Sequence, residues 1–383
     1  MFERPSGGDD AVLVGLDFGA GGYAEGLEEL GQLASSAGIR TRAVVRGRRN
    51  RPDPAFYAGS GKVEEIKRAL KEQDASLAIF NHALSPVQER NLEKALGVPV
   101  VDRTRLILDI FAQRAKSHEG KLQVELAQLQ HAATRLVRGW THLERQRGGR
   151  GFLAGMGETQ LEVDRRLIAT RVKVLKDKLG KLRRRHEVQR RARERGRAFT
   201  VSLVGYTNAG KSTLFNALTH AGVLAEDRLF ATLDTTTRRL YLPEAGNVAI
   251  SDTVGFIRDL PHTLVAAFRA TLEEAIHADL LLHVVDAASD ARETQIEEVD
   301  KVLAEIGAAS IPRVLVWNKI DRNGVGAGVD RDEYDRILRV RLSAKTGDGV
   351  DGLRRALVEA TASRTSPASL PKSSDVQGHA AEP

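Results

Sequence analysis

Gly205-Tyr206-Thr207-Asn208-Ala209-Gly210-Lys211-Ser212-Thr213 has the residue types and spacing of a loop that wraps an anion. Glycines let such a backbone close round a phosphate, and its inward N–H groups meet the oxygens. Lys211 would reach the β- and γ-phosphates of a nucleotide, and the Ser212 hydroxyl would ligate magnesium. Downstream, Asp252-Thr253-Val254-Gly255 offers a carboxylate to hold the metal through water and a glycine N–H to sense a γ-phosphate. Between them lies Phe230-Ala231-Thr232-Leu233-Asp234, followed by more threonines. One hydroxyl here closes onto the metal, and spacing alone leaves Thr232, Thr235, Thr236 and Thr237 open. Asn318-Lys319-Ile320-Asp321 and Ser343-Ala344-Lys345 supply a base site. An aspartate there accepts from both the ring N–H and the exocyclic amine of guanine. Adenine lacks that pair of donors and would leave a buried carboxylate unpaired, at a cost of several kcal/mol. Asn318 would hold the loops together, the Lys319 stem would lie along the base, and the Ala344 N–H would face the guanine oxygen. In this order the motifs imply a guanine-nucleotide switch that hydrolyses GTP, with Lys211, one of those threonines and Gly255 at the reacting phosphate, and they argue against an adenylate-type kinase.

Such side chains need strand ends to hold them. Apolar runs at 199–204, 248–250, 280–285 and 314–317 read as core strands, and 213–218 as the first turns of a helix behind the phosphate loop. A second Gly-Lys pair, Gly59-Ser60-Gly61-Lys62, is a decoy: Phe56 stands where a glycine is required and Val63 replaces the metal-binding hydroxyl. It reads as a turn opening a helix.

The motif order resembles the translation-factor-related P-loop GTPases, and two features narrow it to the HflX family. Phe230-Ala231-Thr232-Leu233-Asp234 is similar to that family's switch I, with Thr235 in a place usually held by proline. That match favours Thr232 as the metal ligand. The first half carries Ser85-Pro-x-Gln88-x-Arg90-Asn91-Leu-Glu93, Asp102-Arg-Thr104, Ile110-Phe111-Ala-x-Arg114-Ala115-x-Ser117-x-Glu119-Gly120-Lys121-Leu-Gln123 and Gly157-Glu158-Thr159-Gln160-Leu-Glu162-x-Asp164-Arg165-Arg166. These look like the family's amino-terminal signatures. The resemblance implies a GTPase that binds the large ribosomal subunit and helps split or rescue ribosomes. It also implies that Asn208 could hold a potassium ion where other GTPases use an arginine.

The chain has 383 residues and no cysteine. That is long enough for two or three domains with their own cores, and it excludes disulfides, thiol catalysis and cysteine-ligated zinc. Nothing at its start reads as a signal peptide, and its best apolar run is too short to span a bilayer. A cytoplasmic monomer, with peripheral membrane contact at most, is the expectation. Residues 11–102 alternate apolar runs (12–14, 42–45, 77–80, 98–101) with amphipathic stretches (24–37, 61–72, 86–96), the pattern of a small parallel α/β domain. Leu122, Leu126, Leu129, Ala133, Leu136, Trp140 and Leu143 then form a heptad seam, and Ile168, Val172, Leu175, Leu179 and Leu182 a second one. Two such helices round a Gly-rich stretch read as an antiparallel hairpin.

The seams are packing; the charge is a different matter. Residues 165–197 hold fifteen Lys or Arg against three Asp or Glu, whereas the whole chain is only +7. That excess suits RNA phosphates better than a merely solvated face. Arg183, Arg184 and Arg185 are candidate contacts, with Arg147, Arg150 and Phe152 on the Gly-rich tip as a cation-and-stacking set. The expected division is a 1–110 α/β domain, a 111–197 basic helical hairpin, a 198–362 P-loop GTPase domain and a 363–383 disordered tail. Phe256 follows Gly255 where many GTPases carry a water-orienting glutamine. A phenyl ring cannot hydrogen-bond water, so hydrolysis should be slow until a partner completes the site. The rival reading is a GTP-regulated module acting on a protein such as a membrane protease. An RNA-modifying GTPase finds no paired cysteine or cofactor fingerprint to support it.

Overall fold

Short runs of β-branched and aliphatic residues, each followed by an amphipathic stretch, leave few ways to bury the first half of this chain except a parallel sheet between helices. The computed structural model describes residues 8–138 other than 20, together with 157–195, 199–222, 229–261, 264 and 269–364. It divides into two units, Met1–Lys181 and Leu182–Pro383.

In the first unit β1 (Asp10–Asp17), β2 (Arg40–Arg48), β3 (Leu77–Phe80) and β4 (Val100–Asp102) form a sheet in the order β2-β1-β3-β4. Every pairing in it is parallel. Crossovers run through α1 (Tyr23–Ser36), α2 (Ser60–Glu72) and α3 (Pro86–Leu96). α2 begins at the decoy: Gly59 turns with φ 81°, and Lys62 is spent on Arg46 O and Glu65. Pro99 keeps the fourth strand shorter than the apolar run suggests, so it starts at Val100.

Four of the amino-terminal signature residues, Ser85, Gln88, Asn91 and Asp102, have structural roles. Ser85 and Gln88 form a reciprocal capping box at the start of α3, with Pro86 in the first turn. Gln88 Nε2 donates to Asp53 O at 2.7 Å and Asn91 Nδ2 to Ala55 O at 3.0 Å. Asp102, 1% exposed, caps the next helix through Arg105 N–H and also accepts from Leu84 N–H. Burial raises its carboxyl above the usual carboxylate value. That helix, α4 (Arg103–Arg114), was not anticipated; it buries Leu106, Ile107, Ile110 and Phe111 and pairs Arg103 with Glu29 at 2.6 Å. Next come α5 (His118–Arg138) and α6 (Gly157–Arg195). Arg171 pairs with Glu125 at 2.6 Å. The two lie about equally far from the end of α5 and the start of α6, the register of an antiparallel pair. Leu122, Leu126 and Leu175 of the two seams are buried; Trp140 and Leu143 lie outside the described residues.

The second unit is a seven-stranded sheet in the order β10-β11-β9-β8-β5-β7-β6. Its strands are β5 (Phe199–Gly205), β6 (Thr236–Leu242), β7 (Gly246–Asp252), β8 (Leu280–Asp286), β9 (Arg313–Asn318), β10 (Gly328–Arg331) and β11 (Ile337–Arg341). β6 and β10 are antiparallel edges on a parallel centre. Helices α7 (Lys211–Thr219), α8 (Arg269–Ile276), α9 (Arg292–Ile306) and α10 (Val350–Arg364) complete it. Val201, Leu203, Leu282, Val284 and Val316 pack with Leu214, Phe215, Leu353 and Leu357 in one core, each such side chain contributing about 1.5–3 kcal/mol. No helix among the described residues is long and apolar enough to cross a membrane.

The opposite face of β8 buries His283, in register with Val204 on one side and Leu315 on the other. Burial, with Arg313 and Lys211 nearby, pushes this imidazole from 6.5 down to about 3. The unfolded chain therefore takes up a proton near pH 6.5 that the native chain refuses, so this part of the stability is present above that pH and is lost as pH falls toward 3. Between pH 7.5 and 5.0 the loss from this residue amounts to about 2 kcal/mol. His283→Leu should shrink the gap between denaturant stabilities at those two pH values by that amount. An unchanged gap would show that the histidine is not held neutral.

Candidate functional site

The phosphate loop grows from the end of β5. Val201, Leu203 and Val204 are locked in the sheet, and the chain turns at Gly205 with φ 149°. A β-carbon at Gly205 would stand 2.2 Å from Val284 O, and one at Gly210 (φ 90°) 2.2 Å from Asn318 Nδ2. Both places demand glycine. Asn208 takes φ 59°, a left-handed conformation that asparagine tolerates. The loop runs straight into α7, whose first N–H groups are an anion-binding terminus.

Lys211 is buried and donates to Gly205 O at 3.1 Å and Tyr206 O at 2.8 Å. Burial pushes its ammonium down to about 8, with Asp252 opposing the fall. Burial likewise raises the Asp252 carboxyl, against the Ser212 hydroxyl that stabilises it ionised. At each group the cost of burial outweighs the opposite charge that the other supplies, so a bound anion would favour Lys211 ionised and a bound cation Asp252. Ser212 Oγ lies 2.7 Å from Asp252 Oδ2 and 2.6 Å from Thr232 Oγ1. Asp252 Oδ1 is buried with no partner among the described residues. Converging hard oxygens with one left over are a donor set for a small divalent cation. Of the four threonines, Thr232 comes to Ser212, whereas Thr236 and Thr237 enter β6, where Thr237 Oγ1 meets Ser251 Oγ at 2.9 Å. Leu229, Phe230 and Leu233 are buried and anchor the loop that carries Thr232.

At the other motifs Asn318, 2% exposed, joins three segments. Its Nδ2 donates to Ala209 O and its Oδ1 accepts from Ala344 N–H, both at 2.9 Å. Ser343 Oγ donates to Asp321 Oδ1 at 2.6 Å and so orients the carboxylate. Lys319, at φ 65°, pairs with Asp286 at 2.8 Å. A cavity of about 540 Å³, of small-ligand size, is lined by Thr207, Asn208, Lys211, Ser212, Thr213, Ala231, Thr232, Thr253 and Gly255 and by Asn318, Lys319, Asp321, Ala344 and Lys345. Tyr206, Ala209, Leu233, Asp234, Asp252, Val254, Ile320 and Ser343 lie outside that lining. Arg322 lines the cavity without having been anticipated. Asp286 was also missed, although a carboxylate ending an apolar strand level with Asn318 was a usable signal.

Phe256 is 1% exposed and faces the protein, not the cavity. Arg183 is ion-paired with Glu273 at 2.5 Å, while Arg184 and Arg185 are exposed. Arg147, Arg150, Phe152 and residues 365–383 lie outside the described residues.

A parallel sheet with a glycine-bound phosphate loop at one strand end and a guanine-type carboxylate at another defines a P-loop GTPase. Comparison with known proteins agrees. Residues 24–112 match the family described as "GTP-binding GTPase N-terminal", 114–193 "GTP-binding GTPase Middle Region" and 200–319 "50S ribosome-binding GTPase". GTPase HflX of Escherichia coli (strain K12) is 54% identical over 360 residues, 94% of this chain and 84% of that protein. GTPase HflX of Magnetococcus marinus is 53% identical over 327 residues, 85% and 76% of the two chains. The chain belongs to the HflX GTPase family, and it is a GTPase. A crystal structure of SsGBP with GDP shares the fold at 24% identity and a TM-score of 0.51, over 93% of this chain and 99% of that one.

Proposed function

We propose that this GTPase is a switch that binds the large ribosomal subunit and helps split or rescue ribosomes in the cytoplasm. The observation that carries this is the surface of α6. Arg165, Arg166, Lys173, Lys176, Lys178, Lys181, Arg184 and Arg185 are all exposed along it, in a chain whose net charge is only +7. A cationic rod of that kind suits the phosphates of folded RNA. The family description naming 50S ribosome binding supports the choice of partner.

In this reading Lys211 and the phosphate-loop N–H groups hold the β- and γ-phosphates, Gly255 N–H reads the γ-phosphate, and Asp321 grips guanine. Ser212 and Thr232 would hold Mg²⁺, with Asp252 reaching it through water; bound there, the ion neutralises charge between the β- and γ-oxygens. Asn208, on the cavity wall, would take part in a potassium site. With Phe256 turned inward, the chain offers no glutamine to the attacking water at that place. Hydrolysis is therefore slow until the ribosome completes the site. The working division remains an α/β domain to 110, the basic hairpin to 197 and the GTPase domain to 362.

Cosedimentation with isolated small and large subunits tests the proposal, in GTP, GDP and a non-hydrolysable GTP analogue. Pelleting with large subunits should be strongest with the analogue and should fall steeply between 50 and 200 mM salt, as phosphate contacts require. Changing Lys178, Lys181, Arg184 and Arg185 together to Gln should cut it at least tenfold. Salt-insensitive binding that survives those changes would point to an apolar protein interface instead.

A further inference from the structure

Asp286 closes β8 beside the guanine motif but does not line the cavity. It stands level with Asn318 in the parallel register, and the ladder runs one bond further: Ala287 N–H donates to Asn318 O at 2.9 Å. The same residue grips the far end of the guanine loop. Ala287 O accepts from Asn323 Nδ2 at 3.0 Å and from Arg292 at 3.3 Å. Residues 286–287 therefore back the segment 318–323 at both ends. Between those ends the carboxylate meets Lys319. Its Oδ1 accepts from Ala288 N–H at 3.0 Å, and its Oδ2 meets Lys319 Nζ at 2.8 Å. The two side chains are 16% and 18% exposed, so water screens this pair less than it would a surface pair. Arg322 reaches the same oxygen only at 3.9 Å and is 62% exposed, so it adds little.

Lys319 needs such an anchor. Its backbone is left-handed, at φ 65°, a conformation that a long side chain adopts at a cost. A lysine also gives up more rotamer freedom on being fixed than most residues do. Its Cε lies 3.9 Å from the point that a β-carbon on Gly210 would take, so the stem ends against the phosphate loop. In the proposed site that stem is one wall of the base pocket, and a wall that swings between rotamers holds a ring poorly. We infer that Asp286 is a positioning residue: it pins the Lys319 ammonium before a nucleotide arrives and so fixes the stem as a wall for the base. The role is blind to the edge of the base, which Asp321 reads. It rests on the proposed guanine site and is independent of any ribosomal role.

Asp286→Asn keeps the shape and the acceptor for Ala288 N–H, and removes the charge that holds the ammonium. Calorimetry on the full chain should find GDP bound roughly three- to tenfold more weakly by this variant. Inosine diphosphate, which lacks only the exocyclic amine, should weaken by the same factor. Lys319→Met supplies the decisive background, because methionine keeps an apolar stem and has no ammonium to pin. There Asp286→Asn should change GDP affinity by less than about twofold. A carboxylate that merely supported its own turn would cost as much in that background as in the wild type. The inference is overturned by that result, by wild-type GDP affinity in Asp286→Asn, or by a loss confined to GDP, which would place the fault at Asp321. A wild-type chain that took ADP as readily as GDP would overturn the guanine site, and this inference with it.

Discussion

Asp321→Asn is expected to invert the base preference of the site. In the proposed site the carboxylate would accept from two donors on guanine, and Ser343 holds it in place by donating to Oδ1 at 2.6 Å. The amide keeps one acceptor but turns a donor toward the exocyclic amine, which is itself a donor. One charge-assisted hydrogen bond is lost and one donor–donor contact is created in a site walled by Ala344 and Lys345. Affinity for GDP should fall roughly 10²–10⁴-fold. Xanthine carries a carbonyl where guanine carries the amine, so xanthosine diphosphate should now bind the variant more tightly than GDP does. The fold should be untouched, since Asn fills the same volume and can still accept from Ser343. Calorimetric titration of both nucleotides into both proteins decides the matter. A drop for GDP of less than about fivefold would mean that Asp321 does not read the base.

That experiment concerns a residue whose neighbourhood was legible in the sequence. The phosphate loop, Asp252-Thr253-Val254-Gly255 and Asn318-Lys319-Ile320-Asp321 each follow an apolar run long enough to be a strand, and parallel sheets bring strand ends to one edge. The chemistry of Lys211, Ser212, Asp252 and Asp321 could therefore be placed together before any coordinates. Pairings between distant segments were not visible in that way. Asp286 stood in view at a strand end, but nothing in the chain says that Lys319 will pair with it, and nothing in the spacing of Tyr206 and Arg258 says that the Arg258 N–H will donate to the tyrosine hydroxyl. α4 escaped because Leu106, Ile107, Leu108, Ile110 and Phe111 are buried almost all round, which blurs the 3.6-residue period. Its cap, Asp102, was in view but was read only as part of a family signature. The β10–β11 hairpin was missed because charged residues crowd both strands: Asp330 answers both Arg339 and Arg341, and Arg331 answers Glu359. Such ion pairs make an edge hairpin look like a solvated loop.

Loss of Asn318 should do more damage than loss of any group that touches the nucleotide alone. Asn318→Ala leaves Ala209 O and Ala344 N–H without the partners they now have at 2.9 Å, in a place where Asn318 is only 2% exposed. Each unpaired buried group costs about 1–3 kcal/mol, so about 2–6 kcal/mol is at stake, against a usual domain stability of about 5–15 kcal/mol. Nucleotide affinity should fall too, because the phosphate loop and the Ser343–Lys345 wall are no longer held at a fixed separation. Asn318→Asp separates hydrogen bonding from packing. Aspartate has nearly the same shape and can still accept from Ala344 N–H, but it presents a second oxygen to the Ala209 carbonyl. If the side chain acts by filling space, Asp will be close to wild type and Ala poor. If it acts as a two-sided hydrogen-bonding bridge, Asp will be at least as damaging as Ala in both thermal midpoint and GDP affinity, and that is the ordering expected here.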